Sequence, residues 1–238
     1  MEPITVNRIT TKRSLLYSDT PMVSVSIERP AMNSPLFRIG QKRINAHFDI
    51  AAKSTENYAI KKRYPEAVRI FLQSVRDGRK HFPSDILMSY KVTYNRTGII
   101  SLYIDRSDYD SSGETTVRHG ISRHVKTGFP VTLSEITEKP ERRTKEQIIS
   151  LVLEEAHKME ADNSVRFFPN LPKLLKKYYS KDNFYLTESS LAFYCQSGDI
   201  APQSAGILTF NIPFDRITSP ESSLNMLVEP NPESSLSL

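Results

Sequence analysis

The sequence predicts an α+β fold, an antiparallel sheet packed by N-terminal and central helices, and three observations carry that prediction. Ile86, Met88, Tyr90, Val92 and Tyr94 recur at every second position, the repeat of a strand with one buried face. Ile44, Phe48, Ala51, Thr55 and Tyr58 recur at steps of three and four, the repeat of a helix with one apolar stripe. The chain is 238 residues long with 38% hydrophobic and 25% charged residues, enough to bury a core and outside the profile of a disordered segment.

Taken in order, residues 1–20 read as a polar leader. "MVSVSIERP" then sets Val23, Val25 and Ile27 against Met22, Ser24 and Ser26, a half-buried strand expected to stop at Pro30. The helix of Ile44 to Tyr58 follows, with Lys42, Arg43, Asn45, Lys53 and Glu56 off its stripe. A kink is expected near Pro65, which has no amide proton to donate. A second helix carries Val68, Phe71, Leu72 and Val75 and ends at Asp77-Gly78. The period-two strand turns at "NRTG" and returns as "IISLYI", a hairpin. "SDYDSSGETT" reads as a polar loop, "VRHGISRHVK" as a strand, and "TGFPVTLSEI" as a turn with a short strand.

"TKEQ" at Thr144 to Gln147 has the form of a capping box, with helix expected to Ala161 on a stripe of Ile148, Leu151, Val152 and Met159. A short helix holds Leu171, Leu174, Leu175 and Tyr178, and "FYLT" and "SLAFYC" are strands about "ESS". The Ser- and Pro-rich end, 218–238, reads as a flexible acidic tail. The expected organisation is a single α+β domain over 21–217, with an N-terminal half at 21–140 and a C-terminal half at 141–217.

The net charge is +5, and the tail's Glu221, Glu229 and Glu233 bring it down from +8 on the rest of the chain. The basic clusters "QKR", "KKR", "ERR" and "LKK" are scattered over the polar sides of helices, and no nucleic-acid-binding motif accompanies them, so no specific nucleic-acid partner is expected. No segment reaches the roughly 18 consecutive apolar residues of a membrane span. With no signal-peptide layout at its start, the chain reads as cytoplasmic as written, or as cell-envelope if a leader has been removed. Cys195, the one cysteine, lies in an apolar run and reads as a buried, inert thiol.

No phosphate loop, dinucleotide glycine pattern, "GxSxG" or "HExxH" occurs, so the chain is expected not to be an enzyme and to hold no cofactor or metal. His119 and His124 would fall on opposite faces of a strand, which argues against a shared metal, while His47, His81 and His157 read as ordinary surface or core-edge histidines. The strongest candidate ligand site is the 107–120 loop, through Asp108, Tyr109, Asp110, Glu114, His119 and Gly120. The alternative is a hydrolase whose polar site assembles from that loop.

"FYLTESSLAFYCQSGDIAPQSAGILTFNIPFDRI" resembles the C-terminal signature of a bacterial cell-envelope domain of unknown function. That domain is found in the ectodomain of lysozyme-sensing anti-sigma factors and N-terminal to peptidoglycan deacetylases. Phe184, Leu186, Leu191, Phe193, Ile200, Pro202, Gly206 and Phe214 sit at matching positions. "YKVTYNRTGIISLYIDRSDYDSSG" and "VKTGFPVTLSEI" are similar to the family's earlier hairpin and turn, extending the resemblance over most of Met22 to Ile217. Two loops depart from the pattern: "TVRHG" replaces a "GGAHG", and Gln203 and Ser204 replace a tyrosine and a small residue. The resemblance implies an α+β domain and a binding or sensing role toward a cell-wall glycan, an envelope polymer or a lysozyme-like protein. A body at +8 repels a strongly basic lysozyme, which places an unspecified envelope ligand ahead of it.

Overall fold

A computed structural model describes residues 3–111 and 113–218. The tail 219–238 lies outside the described residues. The chain folds as α+β with two sheets. The larger sheet has the order β1-β2-β3-β4-β5: β1 (Thr5–Tyr17), β2 (Thr20–Asn33), β3 (Ser84–Arg96), β4 (Ile99–Asp110) and β5 (Gly113–His124). All its pairings are antiparallel except β2 with β3, which run parallel over Val23–Ile27 and Ser84–Met88. A parallel pair requires a crossover. Here it is α1 (Arg38–Tyr58), a π-helical turn (Ala59–Arg63) and α2 (Tyr64–Arg76).

Residues 5–17 of the segment read as a leader form the edge strand β1. Ser18 and Asp19 turn it into β2 with φ of 45° and 64°, the backbone of a tight hairpin. Most of β1 is exposed on both faces, so no apolar alternation marks it as a strand. β2 also runs through Pro30, because beyond Ile27 it has a neighbour on one side only and a missing amide proton can be tolerated.

The apolar stripe of α1 buries Ile44, Phe48 and Thr55 against the sheet. At Pro65 the chain stays helical but changes its winding: a π-helical turn over Ala59–Arg63 leads into α2, whose first turn takes the proline that has no amide proton to donate. In α2 the inward residues are Ala67 and Ser74, with Val68 and Phe71 half-buried, whereas Leu72 and Val75 are exposed. The expected stripe was therefore rotated from the real one.

The β3–β4 hairpin forms as its pattern requires, with Thr97 and Gly98 at positive φ in the turn. A bulge between Val92 and Tyr94 reverses the alternation, so Tyr94 leaves the face of Ile86 and Met88 and joins the C-terminal core. The "SDYDSSGETT" segment is no open loop. Ser107–Asp110 close β4 and Gly113–Thr116 open β5, paired down to Asp110 with Gly113.

The expected short strand in "TGFPVTLSEI" is a single bridge, Arg123 with Pro130, followed by helix α3 (Leu133–Thr137). Its cap is Thr132, whose hydroxyl accepts the Glu135 amide at 3.1 Å. "TKEQ" is not a cap: α4 (Glu141–Ala161) starts earlier, and Thr144 lies inside it, bonded to the Thr137 hydroxyl at 2.7 Å. With α5 (Leu171–Tyr178), α4 covers the second sheet, β6 (Phe184–Leu186), β7 (Ser190–Cys195) and β8 (Leu208–Pro213).

Two apolar clusters result. One joins β2–β5 to α1 and α2 around Met22, Ile44, Phe48 and Leu102; the other joins the second sheet to α3–α5 around Ile148, Val152, Phe193 and Phe210. Between them lies a small aromatic joint of Tyr185, Ala192 and Tyr194 with Tyr103. In the "DIAPQSAG" corner, Ile200 and Ala201 are buried in the second cluster and Gln203–Ala205 form an exposed turn.

Candidate functional site

Alternation along β4 and β5 sorts the six candidate residues onto two faces. Asp108, Asp110 and His119 fall on the face covered by α1; Tyr109, Glu114 and Gly120 fall on the other, as the register Ile104 with His119 and Tyr109 with Glu114 requires. Asp108 accepts the Tyr58 hydroxyl at 2.6 Å and lies 3.0 Å from Arg63 Nε, off the hydrogen-bond line, and Arg63 also holds Asp110 and Glu66. Glu114 takes the Thr116 hydroxyl at 2.8 Å and bonds Tyr109, which together hold its carboxyl below the usual range. Asp108 pairs across from Thr115, four rungs along from His119, or roughly 13 Å of strand. The candidate residues do not converge on one point.

Gly120 belongs to the joint between the sheets. A Cβ there would sit 2.0 Å from the Phe184 carbonyl oxygen, and the Gly120 amide donates to the Tyr194 hydroxyl at 2.8 Å. Beside it, Arg118 makes two bonds to Asp105, at 2.8 and 2.7 Å, and stacks over Tyr103 at 3.8 Å. Burial pushes the Tyr194 hydroxyl up to about 12 and the Cys195 thiol up to about 12, so both stay protonated and packed.

His119 does line a cavity, with partners that the loop reading did not include. Between α1 and β4–β5 lies a space of about 520 Å³. Arg106 and Ile104 reach it from β4, His119, Ile121 and Arg123 from β5, and His47 and Ala51 from α1. Arg123 is half-buried; its Nη1 donates to the Gly128 carbonyl and its Nη2 to His47 Nδ1, both at 3.2 Å. Arg106 stacks over the Tyr58 ring at 4.2 Å.

Burial, then Arg123 and His119, hold the His47 pKa below 6.5. His119 is lowered by desolvation and by Arg106, with Asp105 opposing. Its side chain remains solvent-exposed at the mouth, which limits the size of that effect. Burial alone lowers Arg123, the mark of a cation without a carboxylate beside it.

The signal that could have found these residues is the spacing of His119, Ile121 and Arg123 at every second position, one face of β5, opposite the helix that carries His47. Among the described residues no three His, Cys, Asp or Glu side chains group as a metal site, and no helix is long and apolar enough to cross a membrane.

In fold, the chain is similar to the crystal structure of a DUF3298 family member from Bacteroides fragilis NCTC 9343, with a TM-score of 0.65 at 14% identity over 89% of this chain and 91% of that one. It is also similar to a DUF3298 family protein from Pseudomonas aeruginosa PAO1, with a TM-score of 0.56 at 13% identity over 96% of each. At such identities the likeness is one of fold alone. No curated protein matches the sequence. Residues 137–215, which run from the end of α3 through β8, match the family model described as "Protein of unknown function (DUF3298)".

Proposed function

We propose that the chain is a non-enzymatic binding module whose ligand enters the cavity between α1 and the β4–β5 hairpin. The observation that carries this reading is the make-up of that space. It measures about 520 Å³, its wall is largely apolar, and Arg106, Arg123, His47 and His119 border it. That combination of concavity, apolar wall and few polar groups is the common form of a small-ligand site. The carboxylates that a hydrolytic site at 107–120 would use are engaged elsewhere, Asp108 and Asp110 with Arg63 and Glu114 on the far face.

The resemblance to envelope-sensing domains supports a cell-wall glycan, an envelope polymer or a lysozyme-like protein as partner, with sensing as the output. The cavity's size favours a soluble glycan–peptide fragment of the wall among these. Titration of a muropeptide, a teichoic acid and a lysozyme against the wild type and Ala51→Trp, which fills the cavity, tests the reading. The expected result is saturable muropeptide binding that Ala51→Trp weakens about tenfold or more, with the muropeptide recovered intact. Binding indifferent to Ala51→Trp would overturn the site, and a cleaved muropeptide would overturn the non-enzymatic role.

A further inference from the structure

We infer that the part of the ligand that enters this cavity is a single carboxylate on a short apolar segment, an inference that rests on the cavity being the binding site. Arg63 and Arg118, on or against the same hairpin, are each held by carboxylates. Arg106 and Arg123 make no ion pair among the described residues; their partners are the Tyr58 ring, the Gly128 carbonyl and the His47 ring nitrogen. Half-buried guanidinium groups without an anion are costly, and a ligand anion removes the cost.

Asp182 is the acidic residue in the cavity lining. Two guanidinium groups against one carboxylate leave one positive charge, which a monoanion neutralises and a dianion exceeds. The imidazoles add donors without adding charge. Because a guanidinium can only donate, His47 Nδ1 must accept from Arg123, which puts the proton of the neutral ring on Nε2. A carboxylate fits the guanidinium fork bidentately, as a neutral group does not, and its single charge is what sets it ahead of a dianionic phosphate.

The segment behind the carboxylate meets Ala51, Met88, Ile104 and Val131, and at the rim Ile50, which is 68% exposed. An exposed isoleucine beside a cationic pocket suits a ligand whose apolar segment follows its charged end inward.

The test uses the full chain at about pH 7.5, where both imidazoles are neutral, with benzoate, benzamide and phenyl phosphate as probes, read by calorimetry and by the histidine ring resonances. Benzoate should bind about tenfold or more tightly than benzamide, and more tightly than phenyl phosphate. Arg123→Gln and, independently, Arg106→Gln should bring benzoate down toward benzamide with little change in the unfolding midpoint, while Arg123→Lys, which keeps the charge and loses the fork, should fall between. Equal binding of benzoate and benzamide at the cavity overturns the carboxylate and leaves the cavity reading standing. If none of the probes shifts the His47 or His119 resonances and muropeptide also fails to bind, the cavity reading falls with it.

Discussion

Arg118 and Arg123 stand on one strand and face opposite sides of the sheet. Arg118 is bonded twice to Asp105, stacked on Tyr103, and only 14% exposed. Arg123 is half-buried against a carbonyl and a neutral imidazole. The first is a joint between two sheets in which every charge is met by the chain itself. The second borders a cavity that leaves its charge for something else. The same residue type in the same strand is structural on one face and available on the other, and what separates them is the company each face provides.

The joint face should break most readily under mutation. Gly120→Ala drives a Cβ to within 2.0 Å of the Phe184 carbonyl and must part β5 from β6, so denaturant unfolding should show a loss of about 4 kcal/mol. Asp105→Ala leaves Arg118 unpaired in the joint and should cost about 3 kcal/mol by the same measurement.

The cavity face should instead show itself through pH. His47 has its folded pKa below its ordinary 6.5, so the unfolded chain takes up the proton first. Its contribution to stability is complete above about pH 6.5 and is lost as pH falls through that value toward the folded pKa. Unfolding free energies measured from about pH 7.5 to 5.5 should decline, and His47→Gln should flatten the decline. Smallest of all, Arg96→Ala removes an exposed pair with Glu188 that belongs to neither face and should change stability by no more than about 0.5 kcal/mol in the same unfolding assay.

Legibility in the sequence followed exposure. The β3 strand and the α1 stripe could be read because each buries one face and leaves the other more polar, while β6 and β7, buried at every position, could be read as short apolar runs bounded by turn residues. β1 and the outer arms of β4 and β5 could not, because polar residues on both faces of a strand look like loop. Tyr94 was misplaced by one bulged residue, and "TKEQ" was mistaken for a cap although Thr144 bonds Thr137 inside the structure. For the site, His119 was visible but its neighbours were not. Grouping it with Asp108 to Glu114 followed chain order, while the cavity is built from β4, β5 and α1, elements distant in the sequence that the sheet and its crossover bring together.

The most direct test compares Arg118→Gln with Arg123→Gln for both unfolding free energy and benzoate affinity. Arg118→Gln should cost about 3 kcal/mol and leave the affinity of the folded fraction intact, whereas Arg123→Gln should cost less than about 1 kcal/mol and lose about tenfold in affinity. If Arg123→Gln instead destabilises as much as Arg118→Gln and binds benzoate as the wild type does, both arginines are structural and the cavity is not the site.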